Sequence, residues 1–132
     1  MVMCMALADA PINMNVAIIG ASDNKERYSY MAVMLLKEKG HRVFPVHQRI
    51  KTIEGMPVAV SIEDVQEPID TVTLYVAADI STRLAGAILA KNPRRIIFNP
   101  GAENPILFKQ AQDKGIICLE ACTLVMLRTG QF

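Results

Sequence analysis

Residues 20–29 read Gly-Ala-Ser-Asp-Asn-Lys-Glu-Arg-Tyr-Ser, and the chemistry these types offer is the holding of an anion. Gly20 permits a sharp turn that brings backbone N–H groups close to a phosphate. Ser22 adds a hydroxyl donor. Lys25 and Arg27 add positive charge beside the start of a helix, where exposed amides already favour anions. The bend is therefore expected to present free main-chain donors and a few cations to a diphosphate. The same letters also suit a capped turn with solvated charges, so the segment gains meaning from what lies near it in space.

Three other segments carry polar or turn-forming residues. Pro45-Val46-His47-Gln48-Arg49, with Lys51 just beyond, is neutral to basic. A dinucleotide fingerprint would place an acidic residue there for a ribose hydroxyl, and would need glycines where this chain has Ser22 and Lys25. NAD is thereby disfavoured. NADP and the 3′-phospho-ADP half of coenzyme A, both carrying a phosphorylated ribose, stay open. Tyr75-Val76-Ala77-Ala78 offers an aromatic and small apolar residues, suited to a wall for adenine or pantetheine and equally to a core. Asn99-Pro100-Gly101-Ala102-Glu103 forms a turn that exposes backbone, with Asn99 placed to reach into a cleft from a strand end.

No nucleophile-and-base pair stands out, and no catalytic residue is assigned. Cys122 follows a strand end beside Glu120, where a helix start could lower a thiol pKa. A buried structural thiol is the default reading. Cys118 and Cys122 without a nearby histidine fall short of four zinc ligands, and no metal is expected. Asp64, Asp70 and Asp79 are explained by caps and turns.

The elements that must position these residues alternate. Residues 15–20, 42–46, 71–76, 94–99 and 116–120 are apolar or β-branched runs that read as strands, the second weakened by Pro45. Between them, helices are expected over 29–39 and from Asp79 or Ser81 onward. A short one opens at the Ser61-Ile-Glu-Asp64 capping box, and another starts at Asn104-Pro105. A last turn or two follows at 123–128, and residues 47–57 read as loop. Five strands joined by helical crossovers imply an α/β, Rossmann-like, doubly wound parallel sheet in three layers, with 3-2-1-4-5 as the leading strand order. Ligands of such sheets bind beyond the carboxyl ends of the strands. All the polar segments above fall at that edge.

With 132 residues the chain is expected to be one domain, residues 15–132, preceded by an N-terminal extension, 1–14. A net charge of +1 provides no global field to draw nucleic acid or an anionic membrane, so any anion site must be local. The opening MVMCMALADA lacks a basic flank and is too short to span a bilayer. Three cysteines form no paired framework, which points to reduced thiols and a cytoplasmic protein.

Taken in order, Val16-Ala-Ile-Ile-Gly20-Ala-Ser22, Glu26-Arg27-Tyr28-Ser29, Val43-Phe-Pro45-Val46, Ile53-Glu-Gly55, Pro68-Ile-Asp70, Asn99-Pro-Gly-Ala-Glu103 and Glu120-Ala-Cys122 resemble the small stand-alone CoA-binding domain proteins. The chain is similar to the N-terminal nucleotide-binding domain of the succinyl-CoA synthetase α-subunit. The resemblance implies a five-stranded domain holding coenzyme A or an acyl-CoA by its nucleotide end. It implies that Gly20, Ala21, Ser22 and Arg27 surround the diphosphate and that Val46 and Lys51 lie near the adenosine. Tyr75 and Val76 would line the cleft, and Asn99, Pro100 and Gly101 would face the pantetheine. The synthetase uses a phosphorylated histidine in a further domain, and the two histidines here, His41 and His47, flank the second strand, so ligase activity is not carried over. The expected function is non-catalytic binding of this small molecule. An NADP-binding oxidoreductase or redox sensor is the alternative. A homodimer, or a larger acyl-CoA enzyme to which the domain is supplied, stays open as partner.

Overall fold

The first strand, β1 (Asn15–Ile19), is shielded from Val16 to Ile19, and its residues feed two different cores. Ala17 and Ile19 join Leu74, Ile88, Phe98 and Leu107 on one side, while Val16 and Ile18 join Val33, Leu36 and Leu127 on the other. A strand covered on both faces is apolar without alternation, which is why this run reads as one apolar block. The coordinates are a computed structural model and describe residues 13–132. Of the expected extension, residues 1–12 lie outside the described residues. Met14 is buried, and its N–H donates to His41 Nδ1 at 3.1 Å.

After β1 come α1 (Tyr28–Glu38), β2 (Arg42–Val46), a small hairpin of β3 (Thr52–Ile53) and β4 (Met56–Pro57), and a 3₁₀ turn (Ile62–Asp64). Then follow β5 (Thr71–Leu74), α2 (Ala78–Ala90), β6 (Arg95–Phe98), α3 (Pro105–Asp113), β7 (Ile117–Glu120) and α4 (Thr123–Arg128). The capping box expected at Ser61 and the Asn104–Pro105 helix start are both present. The hairpin replaces the loop expected over 47–57. Its turn residues Glu54 and Gly55 both have positive φ, at 48° and 79°, the backbone that closes a two-residue hairpin.

The main sheet is parallel throughout, in the order β2-β1-β5-β6-β7. Counting only its five strands, that is 2-1-3-4-5, and it corrects the expected 3-2-1-4-5. The third strand lies beside the first rather than outside the second. Pro45 supplies a reason: it lacks an N–H, so the outer side of β2 cannot carry a full ladder. A short run of loop binds there instead, Ala59 N–H donating to the Pro45 carbonyl and His47 N–H to the Ala59 carbonyl. The chain then passes to the far side of β1. Helices α1 and α4 cover one face of the sheet, and α2, α3 and the 3₁₀ turn cover the other, giving the three expected layers. Among the described residues no helix is long and apolar enough to cross a membrane.

Candidate functional site

Strand order reverses at β1, whose two neighbours are β2, the next strand in the chain, and β5. In open α/β sheets the crevice for a ligand opens at such a switch point. Two cavities meet there. The larger, about 560 Å³, lies where α1 and α2 begin and is lined by Gly20, Ser22, Arg27, Tyr75 and Val76 among others. The smaller, about 250 Å³, lies against the end of β2 and is lined by Val46, Arg49, Ile62, Arg83 and Leu84 among others. They share Gly20, His47, Val76 and Ile80, so they form one cleft.

Gly20 is fixed by geometry. Its φ is +87°, and a Cβ there would stand 2.8 Å from Val76 Cγ1 and 3.0 Å from the Tyr75 carbonyl oxygen. The left-handed backbone and the close approach of the neighbouring strand both demand glycine. The expectation of free donors at this bend is corrected in detail. Gly20 N–H and Ala21 N–H both donate to the Val46 carbonyl, at 3.1 and 3.3 Å, and tie the turn to β2. Beyond them the loop braces itself. Ser22 Oγ accepts from Asn24 N–H at 3.0 Å, and Asn24 Oδ1 accepts from Glu26 N–H at 3.0 Å.

The donors that remain include the Ser22 and Asp23 N–H groups of the loop, which have no acceptor among the described residues, and those of the helix start. Arg27 occupies the cap position of α1 with no side-chain cap, and the first turn holds no acidic residue. Helix α2 likewise starts at Ala77 without a side-chain cap, though Asp79 sits in its first turn. An uncapped first turn leaves amides unsatisfied and carries partial positive charge, so α1 in particular opens a favourable place for an anion. Arg27 and Ser22 stand at the same cavity. The Ser22 hydroxyl, although it accepts from Asn24, keeps its own proton to donate. His47 Nδ1 accepts from Arg49 N–H and Ile50 N–H, at 3.0 and 3.1 Å, which leaves Nε2–H as the donor of the neutral ring. Two large apolar side chains are exposed at the rims: Tyr28, 69% accessible, and Val60, 62%.

The structure brings Gly20, Ala21, Ser22, Arg27, Tyr75 and Val76 together, with Val46 in the adjoining cavity. Tyr75 packs with the α1-side core, and burial holds its phenol neutral, well above the ordinary range. The hydroxyl lies towards Thr123 but closes no hydrogen bond among the described residues, Thr123 Oγ1 being engaged with Thr73 Oγ1 at 2.7 Å. Lys25 and Lys51 are exposed and line neither cavity. Pro100 and Gly101 form an exposed turn beyond β6, with Gly101 N–H donating to Glu103 Oε1, and also stand outside the cleft. Asn99 is 1% exposed and does not reach into it. Its amide donates to Thr73 Oγ1 and the Leu74 carbonyl, at 2.7 and 2.9 Å, and accepts from Thr123 N–H at 2.8 Å. Every polar atom of that side chain is spent joining β5 and β6 to the start of α4.

Ile80, Arg83 and Leu84 of α2 are cleft residues that sequence reasoning missed as such. Ile80 and Leu84, four residues apart, share one side of α2, and Arg83, three residues after Ile80, lies on the same side. That spacing was the available signal. Cys118 donates towards the Phe108 carbonyl, and burial pushes its thiol up, the opposite of an activated nucleophile.

A parallel three-layer sheet with its cleft at the β1/β5 switch defines a Rossmann-like α/β domain. The chain belongs to the CoA binding domain family, whose model matches residues 14–128. A protein of known crystal structure and uncharacterized function is 36% identical, with a TM-score of 0.87 over 92% of this chain and 100% of the other. The uncharacterized protein YneT of Bacillus subtilis (strain 168) is 22% identical over 83% of this chain and 82% of its own length. The fold is also similar to part of the dinucleotide-forming acetyl-coenzyme A synthetase 1 of Ca. Korarchaeum cryptofilum. That match is 17% identical with a TM-score of 0.70 and spans 83% of this chain but 26% of that enzyme.

Proposed function

We propose that the cleft binds coenzyme A or an acyl-CoA without doing chemistry on it, seating the diphosphate where the first βα turn meets the start of α1. One observation carries this reading: the bare first turn of α1 opens on the same cavity as Ser22 and Arg27, at the strand-order switch. Backbone amides, a hydroxyl and a guanidinium are the groups that diphosphates select. Gly20 and Ala21 shape the turn rather than donate to the ligand. Val46, Val76 and Tyr75 supply apolar wall. Membership of the CoA binding domain family supports the choice among phosphate-bearing nucleotides. The likeness to one part of a larger acetyl-CoA synthetase supports the idea that such a domain can also serve an acyl-CoA enzyme as a partner.

Calorimetric titration of the protein with CoA and with NADP tests the proposal. Saturable binding of CoA, with NADP much weaker, is the expected result. Saturable NADP binding without CoA binding would replace this reading with the oxidoreductase or redox sensor.

A further inference from the structure

The smaller cavity differs from the larger in chemistry. Its lining is mostly aliphatic, from Val46, Val60, Ile62, Ile80 and Leu84, and it carries two guanidinium groups, Arg49 from the loop after β2 and Arg83 from α2. A flat heterocycle suits such a slot. Two arginines beside it need a different explanation. The ion pairs among the described residues are Arg42 with Glu67, Arg94 with Asp70 and Lys109 with Asp113, so neither Arg49 nor Arg83 is neutralised by a carboxylate. Of the two acids that follow Ser61 and Ile62, Asp64 is committed to the capping box with Ser61, and Glu63 is exposed, forms none of these ion pairs and does not line the cavity.

The diphosphate proposed for the larger cavity is already served by the α1 amides, Ser22 and Arg27. The cations of the smaller cavity are therefore surplus to it. Guanidinium is the side chain best matched to a phosphate monoester, through paired N–H donors. We infer that Arg83, with Arg49 lining the same cavity, reads a second phosphate on the ribose next to the bound base. The site would then select 3′-phosphorylated adenine nucleotides over their dephosphorylated forms. Arg83 is a specificity-determining residue of that kind. Lys51, the cation the sequence suggested beside the adenosine, lines neither cavity, and Arg83 takes that part. This inference rests on the proposed CoA reading and deepens it.

The experiment is a calorimetric comparison of CoA, dephospho-CoA and NADP on the wild-type chain and on Arg83→Ala and Arg83→Lys. The wild type should prefer CoA to dephospho-CoA by about tenfold or more, the scale of one charge-assisted hydrogen bond. In Arg83→Ala that ratio should fall to near one through loss of CoA affinity, and Arg83→Lys should restore part of it. Arg83 is exposed, so these variants should keep the wild-type melting temperature. An unchanged ratio in Arg83→Ala, with CoA still bound, would overturn the Arg83 assignment alone. NADP binding as tight as CoA would overturn the 3′ selectivity. Failure of the wild type to bind either CoA or dephospho-CoA would instead bring down the proposed function on which the assignment stands.

Discussion

Gly20 and Arg27 both line the cavity of the proposed phosphate site, and they should fail in different ways. At Gly20 the φ of +87° alone makes an alanine cost about 1–3 kcal/mol, before the close contact with the Tyr75 carbonyl is counted. Gly20→Ala should therefore lower stability by at least that amount in urea unfolding and weaken CoA binding as well. Arg27 is exposed and carries no carboxylate partner among the described residues, so the fold should be indifferent to its loss. Arg27→Ala should keep the wild-type melting temperature and weaken CoA binding by about 1.5–3 kcal/mol in calorimetry. Unchanged affinity would return Arg27 to the solvated surface. At this scale the sequence spoke clearly only where a residue has one use. Gly20 was legible because a turn after a strand demands it. Asn99 was misread because its partners, Thr73 and Thr123, are 26 and 24 residues away and nothing local announces them.

Elements are joined at both ends of the sheet by small polar networks. At the carboxyl end, Asn99 links β5, β6 and α4, and its removal leaves the Thr123 N–H without its acceptor in a buried place. Asn99→Ala should destabilise the protein by about 1–3 kcal/mol in urea unfolding. At the other end, His41 Nδ1 accepts the Met14 N–H, and burial with the nearby Arg95 charge holds the imidazole pKa below its ordinary value of 6.5, against the pull of Asp70. Protonation is thus disfavoured in the folded state. As pH falls below 6.5 the unfolded chain takes up a proton that the folded one refuses, so stability should fall. Asp70 behaves differently. Burial raises its pKa, but hydrogen bonds from Arg94 and Thr71 and the charges of Arg94 and Arg95 outweigh that and leave it below 3.8. Its contribution is complete above 3.8 and lost as pH falls through the depressed value. Melting temperature followed from pH 7 to 3 should show the first decline begin near 6.5, and His41→Gln should remove that early decline while leaving the acid one. A profile flat to pH 4.5 in the wild type would contradict the role given to His41.

For the whole molecule, alternating apolar runs and helical segments were enough to read class, layers and the location of the cleft, because burial on both faces leaves the central strands largely apolar. Strand order was not legible in the same way. It depends on what binds the outer side of β2, and that is settled by Ala59, fourteen residues after Pro45. The two-residue strands of the hairpin were too short to give a period. The cleft was read from the strand ends alone, which found Gly20, Ser22, Arg27 and Val76 but missed Ile80 and Arg83, since a helix wall joins the site only once the helix is packed. The exposed Lys25 and Lys51 line neither cavity, since positive charge near a site in sequence need not border it in space.

The central claim is that a diphosphate sits on the bare first turn of α1. Backbone amide shifts recorded while CoA is titrated into the isotope-labelled protein test it most directly. The account predicts the largest changes at Ser22, Tyr28 and Ser29, with smaller ones at Ala77 and Ala78. Changes confined to the far side of the sheet, with those amides unmoved at saturation, would contradict it.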